Sequence, residues 1–239
     1  MGKYKKNISS SQLAQEMDRY YEANNHEQAL DVAVQLLQKK PLNRSVMERV
    51  TALFIDYDRT EEATAAIAFL QAHFPETGYQ LFLRCRVEQL QMHWEKAVDC
   101  AERALARRDT NKWQTVMLHN ILGHVYRRLG MIQQAVEHYR ISGTTRNSSV
   151  AGDDSLAIQD YSNYLFTLHN MACSREFLLE ESRKYNDFFT GISQYVHQRK
   201  PRHKKLRIGY VSPDLRFHVV AFFSYAFFKC YDKNRFEVY

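Results

Sequence analysis

Gly123-His124-Val125-Tyr126-Arg127-Arg128-Leu129-Gly130-Met131-Ile132-Gln133-Gln134-Ala135-Val136-Glu137-His138-Tyr139 carries the spacing that decides the fold. Small residues at 123 and 135 let two helices approach, and Tyr126 and Tyr139 stand where a side chain must fill the gap between them. Gly130 falls where the chain turns from one helix to the next. Upstream, the alanine recurs at Ala29, Ala63 and Ala97, each 34 residues from the next, and Pro41 and Pro75 keep the same interval. Aligned on the alanines, Tyr20 and Phe54 share the aromatic position of a first helix. Asn24 and Asp58 share the turn position, where a left-handed backbone is needed and Gly, Asn or Asp adopts it at least cost. The prolines close each second helix, because proline cannot continue one. A third unit, about 78 to 111, is degenerate: Leu81 and Ala97 fit, but Glu88 replaces the aromatic and Asp109 the proline. A four-residue insertion around Asp109 to Trp113 then shifts the register before the fourth unit recovers.

This period, with these residue types, is the signature of the tetratricopeptide repeat, a helix-turn-helix unit. One such hairpin cannot bury its own apolar face, so several must stack. The sequence therefore predicts a mainly α chain, a helical array or α-solenoid of about four repeats over 10–149, after a tail at 1–9. Arrays of this kind bind proteins or peptides in a concave groove; that expectation comes from architecture, not from a recognised site. A polar segment from Ser142 to Asp154 breaks the array, with Asp153 or Asp154 as a helix cap. Junction helices follow within 150–198, at about Ser155 to Ala172 and Ser174 to Val196. Ser174 is placed to cap the second, and Glu176, Glu180 and Glu181 lie early in it, where the helix dipole favours acids.

Composition narrows the class. An apolar fraction of 45% with 25% charged residues is that of an ordinary globular chain. No apolar run reaches the roughly 18 residues that span a bilayer, so no membrane partner is expected. The N-terminus is basic and polar without an apolar core, unlike a secretory signal. Cys85, Cys100, Cys173 and Cys230 show no C-x-x-C spacing, which gives zinc and thioredoxin-like readings no support. They read as small buried hydrophobes in a reducing cytoplasm. Arg199, Lys200, Arg202, Lys204, Lys205 and Arg207 crowd around Pro201 within nine residues. Without interleaved aromatics, this run reads as a solvated linker at 199–205 rather than a nucleic-acid contact. His119 and His124 show no metal-ligand or H-E-x-x-H spacing and read as surface or packing residues.

The last segment changes period. Leu206-Arg207-Ile208-Gly209-Tyr210-Val211 reads as a buried strand, Ser212-Pro213-Asp214 as a turn, Val219 to Cys230 as an almost wholly apolar helix, and Phe236 to Tyr239 as a second strand. One strand-helix-strand unit cannot bury its own surface; parallel sheets need several, with helices on both faces.

The order of parts resembles the junction in the O-linked N-acetylglucosamine transferase family, including its bacterial and Spindly-type relatives. The resemblance rests on Tyr161-Ser162-Asn163-Tyr164-Leu165-Phe166-Thr167-Leu168, the helix and basic linker after it, and Leu206 to Asp214 with His218 four residues on. It implies that 206–239 is the incomplete start of an α/β glycosyltransferase lobe, its first β-α-β unit. It also implies an inverting transfer from a uridine-diphosphate sugar to a protein hydroxyl, with His218 as the matching active-site residue. Such a histidine could accept or relay a proton, or bond the donor; the plainer reading is that His218 caps the helix. No cofactor is expected in this chain: the donor would be held mainly by a second lobe, and no G-x-G pair offers a phosphate loop. Leu215 stands where relatives carry an aromatic, and Ala221 where many have glycine. Gln15, Arg49, Leu83 and Ile121 occupy the positions of the groove-lining asparagines of the animal enzymes, so an asparagine ladder is not expected.

Two functions follow. On the reading that the resemblance implies, the chain is the N-terminal fragment of a protein O-glycosyltransferase, expected to be inactive alone, whose repeats hold acceptor proteins. Alternatively it is a repeat scaffold that binds another protein without catalysis.

Overall fold

The computed structural model describes residues 8–145, 155–193, 195–196 and 203–239. The first seven tail residues, the candidate caps Asp153 and Asp154, and Arg199, Lys200 and Arg202 lie outside them. Eight helices come in four hairpins: α1 (Ser10–Glu22) with α2 (His26–Lys39), α3 (Arg44–Asp56) with α4 (Thr60–His73), α5 (Gly78–Leu90) with α6 (Trp94–Leu105), and α7 (Lys112–Arg128) with α8 (Ile132–Thr144). Each first helix except α1 also packs on the hairpin before it, and α9 (Ser155–Leu168) lies against α8. One continuous core runs through the array. Its repeat alanines, Ala29, Ala63, Ala97 and Ala135, are all fully buried, as are Phe54 and Tyr139. Helix faces that would stay wet in an isolated hairpin are thus covered by neighbours.

Local chemistry explains the ends. Ser9, Asn43, Thr77, Asn111 and Ser174 each cap a helix by accepting a backbone N–H. The turn between helices is left-handed in all four hairpins, at Asn24, Asp58, Met92 and Gly130, with φ of 55°, 54°, 58° and 74°. The degenerate third unit keeps the geometry with a methionine. α8 runs past Ile141 to Thr144, so Ser142 is helical and buried. α9 stops at Leu168, and α10 (Arg175–Lys184) tightens into a 3-10 turn, Tyr185–Phe189, rather than continuing to Val196.

The chain divides into two compact units at Thr190/Gly191. In the second, β1 (Leu206–Ile208) and β2 (Phe236–Val238) pair in parallel across α11 (Val219–Cys230). Each strand has only three residues. The register sets Arg207 opposite Glu237, and their side chains pair at 2.8 Å, which neutralises one charge of the basic run. Strand 206–211 is expected to be buried, but Leu206 and Val211 are exposed, and α11 has no buried residue. Two short strands and one helix are too few to enclose a core. Cys85 and Cys100 are buried as expected, Cys173 is half-buried, and Cys230 is exposed.

Candidate peptide-binding groove

The first helices present one face, read most simply on α3. Ser45, Arg49, Ala52 and Asp56 follow helical spacing and stay exposed or half-buried, while Val46, Met47, Val50 and Leu53 turn into the core. The 34-residue period puts Ser11, Gln15, Asp18 and Glu22 in the same places on α1, and Tyr79, Leu83, Arg86 and Leu90 on α5. With the insertion, α7 contributes Met117, Ile121, His124 and Arg128. The face is mostly polar on α1 and α3, mostly apolar on α5 apart from Arg86, and mixed on α7.

Two pockets open between α1 and α3. One, about 170 Å³, has an apolar floor of Met17, Ala52 and Leu53, a wall of Tyr21, and a rim of Asp18, Arg49 and Asp56. The other, about 420 Å³, lies toward the helix N-termini and is lined by Ser10, Ser11, Gln15, Asn43 and Ser45. Asp18 and Arg49 belong to both, and their ion pair bridges the cleft at 3.5 Å. A second bridge joins α3 to α5, Asp56 to Arg86 at 2.8 Å, with the Arg86 guanidinium over the Phe82 ring. Tyr79 stacks on Phe82, which meets Trp113 edge-on. Burial in this gap pushes the Glu48 carboxyl and the Tyr79 hydroxyl above their ordinary pKa values. Arg49 and Gln15 therefore line an open cleft, whereas Leu83 and Ile121, at the equivalent positions, are buried.

Sequence reading missed the ion-pair ladder, although a signal exists. Asp18 and Arg49 are 31 residues apart and Asp56 and Arg86 are 30, which is one repeat less about one helical turn. Opposite charges at that interval meet across successive first helices.

No protein-family model matches the chain, and no curated protein matches it. Solved structures do. MamA superposes with a TM-score of 0.58 at 14% identity, covering 78% of this chain and 98% of its own. YrrB, described as a TPR protein with an unusual peptide-binding site, superposes with a TM-score of 0.51 at 14% identity, covering 75% of this chain and 86% of its own. The fold is that of a tetratricopeptide-repeat protein. At such identities the likeness concerns fold alone.

In the C-terminal unit, His218 sits at the N-cap of α11. Its Nδ1 accepts the Val220 N–H at 3.3 Å, and the Asp214 carboxylate lies 3.9 Å away. This is the capping geometry of the plainer reading. A crevice of about 620 Å³ opens beside it, lined by Tyr210, Leu215, Arg216, Ala221, Tyr225 and Tyr239 among others; His218 does not line it. Both departures noted in the sequence, Leu215 and Ala221, do. Among the described residues, no group of three or more His, Cys, Asp or Glu side chains is placed to hold a metal, and no helix is long and apolar enough to cross a membrane.

Proposed function

We propose that this protein is a repeat scaffold that binds an extended peptide segment of a partner protein along the α1/α3 cleft. One observation carries the reading: an apolar slot with a charged rim stays open between the first two hairpins, while the equivalent positions farther along, Leu83 and Ile121, are filled. The slot has room for one apolar side chain, and Asp18, Arg49 and Asp56 offer both signs of charge to the flanking residues. A buried anchor surrounded by a polar rim is the usual anatomy of a peptide interface. YrrB, a protein of similar fold, is described as having a peptide-binding site, which supports a peptide as the class of ligand. The test is selection from a displayed peptide library, followed by fluorescence anisotropy on the selected peptide. Ala52→Trp, which fills the slot from a half-buried position, should weaken binding at least about tenfold with the circular dichroism spectrum unchanged. Unaltered affinity in A52W would move the site elsewhere.

A second reading, the glycosyltransferase lineage, draws support from the parallel pairing of β1 and β2 across α11, the unit that opens nucleotide-binding α/β lobes. The crevice includes Tyr210, Val238 and Tyr239 at the carboxyl ends of these strands, the end where such folds place ligands, and runs along α11 to Tyr231. On this reading the full enzyme would use a uridine-diphosphate sugar, with His218 near the transferred group. Residues 1–239 alone should show no sugar transfer to protein and no tight binding of uridine diphosphate by calorimetry. Transfer by the purified chain contradicts that. Coding DNA after Tyr239 separates the two readings: an open or frameshifted lobe supports the lineage, and a stop with no remnant supports the scaffold alone.

A further inference from the structure

His119 on α7 and His138 on α8 meet inside the fourth hairpin, their Nδ1 atoms 2.8 Å apart and their rings 5.1 Å apart between centroids. Only one Nδ1 in that contact can carry a hydrogen; the other must offer its lone pair. His138 also stacks on Tyr126 at 5.3 Å and 16°, and the Tyr126 hydroxyl donates to Glu102 of α6 at 3.1 Å. Farther along α7, His124 Nδ1 shares a hydrogen bond of 2.8 Å with the hydroxyl of Tyr139, which is fully buried against Gly123. Three half-buried imidazoles thus line the α7/α8 seam; α9 packs on α8 and is tied to α7 as well, where Asn120, next to His119, donates to Asp160 at 2.6 Å.

We propose that the fourth hairpin is an acid-sensitive latch: protonating both members of the His119–His138 pair forces α8 off α7 and loosens the packing of α9 on α8. When both rings are doubly protonated, two N–H groups and two positive charges face each other across the contact, and the hydrogen bond has no acceptor. The charges around the seam do not offset this. Glu137 of α8 favours a charged imidazole, but Arg140 already engages it at 2.8 Å. Arg127 and Arg128 of α7 oppose a charge on His124. Glu102 of α6 is engaged by Tyr126. Burial, the largest cause, holds all three histidines below their ordinary value, His119 at about 4. The unfolded chain then binds the protons more readily, so stability present at neutral pH is lost as pH falls from 6.5 toward 4. Asp160 of α9 works in the opposite sense: burial raises its pKa, so its protonation favours the folded state.

Hydrogen exchange of the whole chain, read by mass spectrometry at pH 7 and pH 5 and corrected for intrinsic rates, tests the latch. Peptides from 112–144 should lose protection about tenfold more than peptides from α1 to α4. In the H119N/H138N double variant, asparagine supplies a non-titrating donor and acceptor near the Nδ1 positions, and the excess loss should vanish. Asp160→Asn should leave it in place. An equal loss in the double variant, no excess over α1 to α4, or abolition by D160N would overturn the proposal. Should the double variant not fold, titration of the wild-type imidazole protons by NMR decides: His119 should titrate well below 6.5, and a value at or above 6.5 refutes the latch.

Discussion

Gly123 shows how one residue sets a helix distance. A Cβ there would lie 2.7 Å from the Tyr139 ring, nearer than packed atoms come, so the tyrosine that seals the hairpin needs a glycine opposite. Gly123→Ala should cost about 1–3 kcal/mol, read as a lower denaturant midpoint with the slope unchanged. Met92 presents the reverse case. It holds a left-handed backbone at φ 58° with its side chain largely in solvent, at 69% exposure, so it carries conformational strain without packing in return. Met92→Gly should relieve that strain and, after the extra chain entropy of glycine, stabilise the protein by about 0.5–1 kcal/mol; a fall in melting temperature would contradict this. Only one of the two positions was legible in the sequence. Gly123 matched the repeat signature, while Met92 was hidden because its residue type does not announce a turn that the neighbouring hairpins impose.

Between elements, the joint of α9 with α10 rests on one buried carboxylate. Tyr161 and Tyr164 donate to Glu181 Oε2 at 3.2 and 3.1 Å, and Lys184 donates to Oε1 at 2.6 Å. Burial acts to raise the Glu181 pKa, but these donors hold it below the ordinary carboxylate value. A folded-state value below the unfolded one gives stability that is present above about pH 4.5 and is lost as pH falls through the lowered value. Glu181→Gln should therefore destabilise the protein at pH 7 by about 1.5–3 kcal/mol, read as a lower melting temperature, and much less near pH 3. An equal deficit at both values would mean that packing, not charge, holds the joint. In the sequence Glu181 read only as a dipole-favoured acid early in a helix. Its tyrosine partners sit on another helix, and helical period says nothing of which faces of two helices meet.

At the scale of the whole molecule, the two units differ in how they bury surface. The first holds every buried residue among those described; in 203–239 none is buried, and Phe217, Phe223 and Val211 stand almost fully exposed. Removing the second unit should leave the repeats intact. The chain cut after Thr190 is expected to keep the helical spectrum per residue and the melting temperature of the whole to within a few degrees, since stability follows buried apolar area. Loss of cooperative unfolding in the shortened chain would show that the repeats depend on the C-terminal segment. Exposed aromatic surface on this scale also favours self-association.

The sequence by itself determined the repeat. A fixed interval of alanine, aromatic, turn residue and proline leaves a chain little choice but stacked hairpins, because each hairpin repeats the same local demands on helix, turn and close approach. The strand-helix-strand order near the C-terminus was legible for the same reason, since period and turn residues are local signals. Tertiary structure alone decided which positions stay open. Gln15, Arg49, Leu83 and Ile121 are equivalent by register, yet the cleft is open at the first two and filled at the last two. It also decided that His119 and His138 meet across the α7/α8 seam and that Asp18 and Arg49 bridge the cleft. Exposure and partnership belong to pairs of helices, and they follow from how far apart the helices settle, a distance set by all the side chains between them.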